Sequence, residues 1–128
     1  QPLYDALLDM IPPDKLNQYL ENRIVQIAPL AFMRGRTLDN AFVILDEAQN
    51  TTESQMKMFL TRIKNNAKFI VTGDATQIDL PSKQPSGLLQ AMRVLKNVNG
   101  ISMIELDNTD VIRHRLVKSI IERYESGK

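Results

Sequence analysis

Apolar positions along this 128-residue chain change period several times, and each change predicts an element. Leu3, Leu7, Met10 and Ile11 recur at helical spacing, with Pro2 suited to a first turn and Pro12 and Pro13 to a stop. A second short helix places Leu16, Tyr19 and Leu20 on one face. "RIVQIAPLAF" then reads as a strand running into a loop near Pro29, and "MRGRTLDN" as a polar loop. From Ala41 the pattern becomes regular. "AFVIL" is a continuous apolar run, as expected of a strand buried on both faces. Met56, Phe59, Leu60 and Ile63 form a helical stripe, which Asn50 and Glu53 would open as a capping box and Asn65–Asn66 would close. "KFIVTGD" is a second buried strand. Ser86 suits the cap of a helix carrying Leu88, Met92 and Leu95, and "ISMIEL" a further strand. A last helix, starting near Thr109 or Asp110, lines up Ile112, Leu116, Ile120 and Tyr124.

From Ala41 the order is strand, helix, strand, helix, strand, helix. That alternation implies an α/β fold with a mainly parallel sheet flanked by helices, and the length fits a single domain, 1–128. The least regular stretch, "DATQIDLPSKQPSG", is the kind of long loop that compact domains keep for function.

Composition narrows the chemistry. Sixteen Lys and Arg against fifteen Asp and Glu give a net charge of +1, which argues neither for nor against a nucleic-acid partner. The absence of Cys excludes disulfides, zinc–thiolate sites and thiol catalysis, and suits a cytoplasmic setting. No apolar run is long enough to span a bilayer, and the acidic, amphipathic start is not a signal peptide. The chain begins on Gln1 and not on Met, so a fragment of a longer protein is expected.

Ligands of parallel α/β sheets bind at the carboxyl ends of strands. Two acidic signals fall there: Asp46–Glu47 after "FVIL", and Asp74 after "FIVTG". An acid directly after such a run resembles a Walker B strand, whose Asp binds magnesium and whose following Glu orients or deprotonates the attacking water. Solvent also begins at a strand end, so the pair alone fits an ordinary acidic terminus equally well. "TGDATQIDLP" adds Gly73, which permits close backbone approach, and Gln77, placed to touch a terminal phosphate and the attacking water. A plain Gly-Asp turn with a polar loop is the alternative reading.

Together, "LDEAQN" and "TGDATQIDLP" resemble the PhoH-like ATPase family, a relative of superfamily 1 helicase motors. The resemblance extends through "PLAFMRGRTLDNAFVILDEAQN", "SGLLQAMRVLKNV" and "DVIRHRLVKSII", nearly the whole chain. It implies a RecA-like P-loop NTPase core that binds ATP and Mg2+, with Asp46 on the metal, Glu47 activating water, Gln77 sensing phosphate and Asp74 with Gly73 supporting the nucleotide site. Arg113, expected in the first turn of the last helix, would contact the terminal phosphate, and a ring-shaped homo-oligomer is implied. Arg34 and Arg36 flank a glycine and are candidates to grip phosphates of RNA or nucleotide, with a solvated loop the equal alternative. His114 is the sole histidine and makes a poor metal site.

A P-loop ATPase also needs a Gly-x-x-x-x-Gly-Lys-Ser/Thr cradle, and the sequence contains none. The expectation is therefore an N-terminally truncated core whose Walker A strand lies outside this chain. Two other classes compete: a nucleic-acid-binding or oligomerisation module with structural acids, and a metal-dependent nuclease using Asp46, Glu47, Asp74 and Asp79.

Overall fold

A computed structural model of the chain describes residues 2–34, 38–110 and 112–127. They fall into two units, Gln1–Val98 and Asn99–Lys128.

The first unit is built around one parallel pair of strands, β1 (Phe42–Leu45) and β2 (Lys68–Val71), in register Phe42↔Lys68 through Leu45↔Val71. The crossover between them carries helix α3 (Glu53–Leu60), as a parallel connection requires. Both strands alternate between exposed and half-buried positions. Val43, Leu45, Phe69 and Val71 form the half-buried row, and Phe69 meets Phe59 of α3 in a tilted pair with ring centroids 5.0 Å apart. The other row is open, with Phe42 78% and Ile44 50% exposed. Burial on both faces, expected from the continuous apolar run, is thus not found: among the described residues one row of each strand stays open.

Helix α3 opens one short step later than the sequence suggested. Thr52, not Asn50, is its cap: the Thr52 hydroxyl accepts from the Gln55 N–H at 3.2 Å, and Gln55 Oε1 accepts from the Thr52 N–H at 2.9 Å. A 3₁₀ turn over Ala48–Asn50 occupies the residues between β1 and that cap. The helix also stops before Ile63, which forms a parallel bridge with Leu38. Helix α4 (Gly87–Val94) packs against α3 at very close range. A Cβ on Gly87 would lie 2.3 Å from the Thr52 carbonyl oxygen and 2.8 Å from Met56 Cβ, so glycine is required at that crossing.

Helices α1 (Pro2–Met10) and α2 (Pro13–Glu21) form where the pattern placed them, and Leu16 of α2 is fully buried. Pro13 opens α2 instead of closing α1. The strand expected from Arg23 is absent. The Ile24 and Val25 N–H groups both donate to the Tyr19 carbonyl, Ile24 is 68% exposed, and a 3₁₀ turn follows over Leu30–Met33. β-Branched residues favour a strand only where a neighbour supplies the ladder.

The second unit repeats that lesson. Residues 101–106 make no ladder among the described residues, and Ile104 is 86% and Leu106 77% exposed. Helix α5 (Arg115–Ser126) carries Leu116, Ile120 and Tyr124. It begins later than Thr109–Asp110, which lie in a separate 3₁₀ turn. No helix among the described residues is long and apolar enough to cross a membrane.

Candidate functional site

The β1–β2 ladder does not end at Leu45. The Thr72 N–H donates to the Leu45 carbonyl at 2.9 Å, and the Thr72 carbonyl accepts from the Ala48 N–H at 2.9 Å. Thr72 therefore brackets Asp46 and Glu47 from the neighbouring strand. Its hydroxyl donates to Asp46 Oδ1 at 2.8 Å, which turns that carboxylate and leaves Oδ2 without a protein donor among the described residues.

Between them the chain makes a sharp turn. Glu47 sits in the left-handed region, φ 53° and ψ 41°, a conformation that costs a non-glycine residue about 1–3 kcal/mol and persists only when its surroundings enforce it. Here the Thr72–Leu45 bond before it, and the Ala48–Thr72 bond with the burial of Ala48 and Gln49 after it, enforce it. The result is that Glu47 faces out while the next two residues enter the core.

Gln49, only 1% exposed, joins the two strand ends. Its Nε2 donates to Glu47 Oε2, its Oε1 accepts from the Asp74 N–H at 3.0 Å, and its backbone carbonyl accepts from the Ser86 hydroxyl at 2.8 Å. Gly73 makes this possible: a Cβ there would lie 2.6 Å from Leu88 Cδ2 and 2.9 Å from Gln49 Oε1. Asp74 Oδ1 accepts from the Thr76 hydroxyl at 2.6 Å and from the Thr76 N–H at 2.9 Å, and these bonds, the hydroxyl first, hold its carboxyl below the usual carboxylate range. The Gln77 N–H closes the same turn onto the Asp74 carbonyl at 3.1 Å. Further along, the Asp79 N–H donates to Asn50 Oδ1 at 2.7 Å and the Gly87 N–H to the Thr51 carbonyl at 2.7 Å. The long loop is thus fastened at several points to the segment that follows β1.

The family described as PhoH-like protein matches residues 1–125. The chain belongs to the PhoH-like family. Among curated PhoH-like proteins it is 61% identical over 125 residues to one from Bacillus subtilis (strain 168), covering 98% of this chain and 39% of that protein. A PhoH-like protein of Synechocystis is 55% identical over 128 residues, covering 100% and 39%. Protein PhoH of Escherichia coli (strain K12) is 42% identical over 126 residues, covering 97% and 36%. The chain therefore spans less than two fifths of the length of these relatives.

In this PhoH-like chain the first unit places Asp46 and Glu47 just after β1 and Gly73, Asp74 and Gln77 after β2, with Thr72 and Gln49 bonding across the two segments. Arg113 belongs to the second unit and precedes α5, where His114 Nδ1 accepts from the Leu116 N–H at 3.1 Å as the cap. The expectation that Arg113 lies in the helix's first turn is corrected accordingly. Arg34 is exposed just after the Leu30–Met33 turn, and Arg36 lies outside the described residues. Sequence reasoning missed Gln49 and gave Asn50 the wrong partner. The available signal was slight: two amides, Gln49 and Asn50, one residue past the acidic pair, in a segment too short to show a period.

Proposed function

We propose that the protein carrying this chain hydrolyses ATP with magnesium, using the ends of β1 and β2 as the hydrolytic half of a RecA-like nucleotide site. The observation that carries the reading is the joint presentation of Asp46 and Glu47 beside Gly73–Asp74, locked by Thr72 and a left-handed turn at Glu47. Mg2+ commonly takes one or two carboxylates and completes its octahedron with water and phosphate oxygens. Asp46, with one oxygen held by Thr72 and the other open, fits that demand. The ion, when bound, would neutralise charge on the transferring phosphate. Asp46 would hold it, Glu47 would orient and deprotonate the attacking water, and Gln77, on the turn anchored by Asp74, would monitor the terminal phosphate. By the family resemblance Arg113 would bring positive charge to a terminal phosphate, its own or a neighbouring subunit's, and Arg34 with Arg36 would meet the backbone of an RNA coupled to turnover.

The nuclease alternative is weaker. Two-metal chemistry needs converging carboxylates, and no group of three or more acidic or histidine residues able to hold an ion occurs among the described residues.

The test is Glu47→Gln in the full-length protein. ATP affinity should persist while kcat falls about 100-fold or more, the scale of a lost general base. Unchanged turnover with intact ATP binding sinks the assignment.

A further inference from the structure

The buried amide of Gln49 occupies a position that no step above uses. It is 1% exposed, yet each polar atom of its side chain has a partner, and the two partners lie on different strand ends. One is the Glu47 carboxylate, two residues away; the other is the Asp74 N–H, 25 residues away. The orientation of the amide is dictated by these neighbours. Reversed, its oxygen would face a carboxylate and its NH2 would face an N–H donor. Its backbone is held as well, by the Ser86 hydroxyl on the Gln49 carbonyl. The Asp74 residue that receives this contact is the same one whose carbonyl accepts from the Gln77 N–H.

A continuous line of hydrogen bonds therefore runs from Glu47 through the Gln49 side chain and the Asp74 backbone to Gln77. We infer that Gln49 is a positioning residue that ties the aim of the Glu47 carboxylate to the placement of the turn bearing Gln77, so that the water-activating group and the phosphate-sensing turn are set together. This rests on the ATPase reading given above. Glu47 itself is exposed in a left-handed turn, so without the amide its flexible side chain has no partner among the described residues to fix its direction. Gly73 has a matching function: it leaves the space through which Gln49 Oε1 reaches Asp74.

Two substitutions in the full-length protein separate positioning from mere packing. Gln49→Met keeps the volume and removes both hydrogen bonds. Gln49→Glu keeps an acceptor for the Asp74 N–H but sets a carboxylate against Glu47. Both should bind ATP with near-normal affinity and lose kcat by about 10- to 100-fold, as small misplacements of catalytic groups do. When combined with Glu47→Gln, Gln49→Met should cost clearly less than the product of the two single losses, because part of its effect acts through the group already removed. Gln49→Glu should also regain turnover relative to the parent as pH falls from about 8 to about 6, where a carboxyl facing a carboxylate takes up a proton and becomes a donor again. Thermal melting and ATP binding check that each variant is folded. If Gln49→Met does not fold, Gln49→Glu and its pH response decide. Wild-type kcat in a folded Gln49 variant, full multiplication of losses in the double variant, or a flat pH response in Gln49→Glu overturns the inference while leaving the ATPase reading intact. An unsubstituted full-length protein that binds RNA but hydrolyses no ATP overturns both.

Discussion

Two turns in this chain have the same local chemistry and different surroundings. Asp74-Ala-Thr76 follows β2, and Asp107-Asn-Thr109 follows the unladdered stretch 101–106. In each, one carboxylate oxygen accepts from both the hydroxyl and the N–H of the threonine two residues on. In each, those bonds, the hydroxyl first, hold the aspartate below its ordinary value of 3.8. The difference is in the aspartate's own N–H. That of Asp107 reaches Asp110 Oδ2, three residues ahead; that of Asp74 reaches Gln49 Oε1, 25 residues back. An Asp-x-Thr turn is therefore ordinary loop chemistry. What makes the first one part of a candidate site is its attachment to another strand end, through a buried amide and a glycine.

Breaking that attachment should have the largest effect. Gly73→Ala forces a methyl group against Leu88 and the pinned Gln49 amide, an overpacking worth about 1–3 kcal/mol. The measurement is the fall in melting temperature of the full-length protein, together, on the proposed ATPase reading, with loss of turnover. A silent Gly73→Ala would show that the two strand ends are not held at close range. Asn50→Ala comes next. It strips the acceptor from the Asp79 N–H at an exposed position, so about 1 kcal/mol is expected, with faster hydrogen exchange at the Asp79 amide.

The smallest effect sharpens the comparison most. Thr76→Val and Thr109→Val each remove the hydroxyl donor, so both aspartates should titrate higher, toward the ordinary value, by carboxyl NMR. The sign follows from the depressed native values: each interaction stabilises the fold above the unfolded-state value and is lost as pH falls through the lower native one. Both groups are fully exposed, so the influence on stability is slight. Only Thr76→Val should also shift the Gln49 amide resonances. Equal disturbance of Gln49 by Thr109→Val would remove the distinction between the turns.

The elements that sequence reading located best were those whose partners are present. β1, β2, α3 and α4 follow from apolar runs and stripes, and the pairing of "LDEAQN" with "TGDATQIDLP" followed from parallel topology. Residues 24–28 and 101–106 have strand composition, but no neighbouring ladder among the described residues converts composition into a strand. The cap of α3 moved from Asn50 to Thr52 because the left-handed turn at Glu47 and the 3₁₀ turn behind it use up the intervening residues. No periodic signal announces a single residue at positive φ. Gln49 was illegible for a related reason: its importance lies in partners distant in sequence, and a polar residue among polar neighbours gives no sign of burial.

The same long-range ties bear on when, during folding, the site comes into being. The bonds that fasten it span 25, 26, 29 and 37 residues. Contacts of such separation form only after the loop entropy between them has been surrendered, and parallel pairing is intrinsically late for that reason. Until β2 docks beside β1, the chain holds the residues of the candidate site without their arrangement. The geometry of the candidate site is thus a late product of folding, completed only when both strand ends are in place.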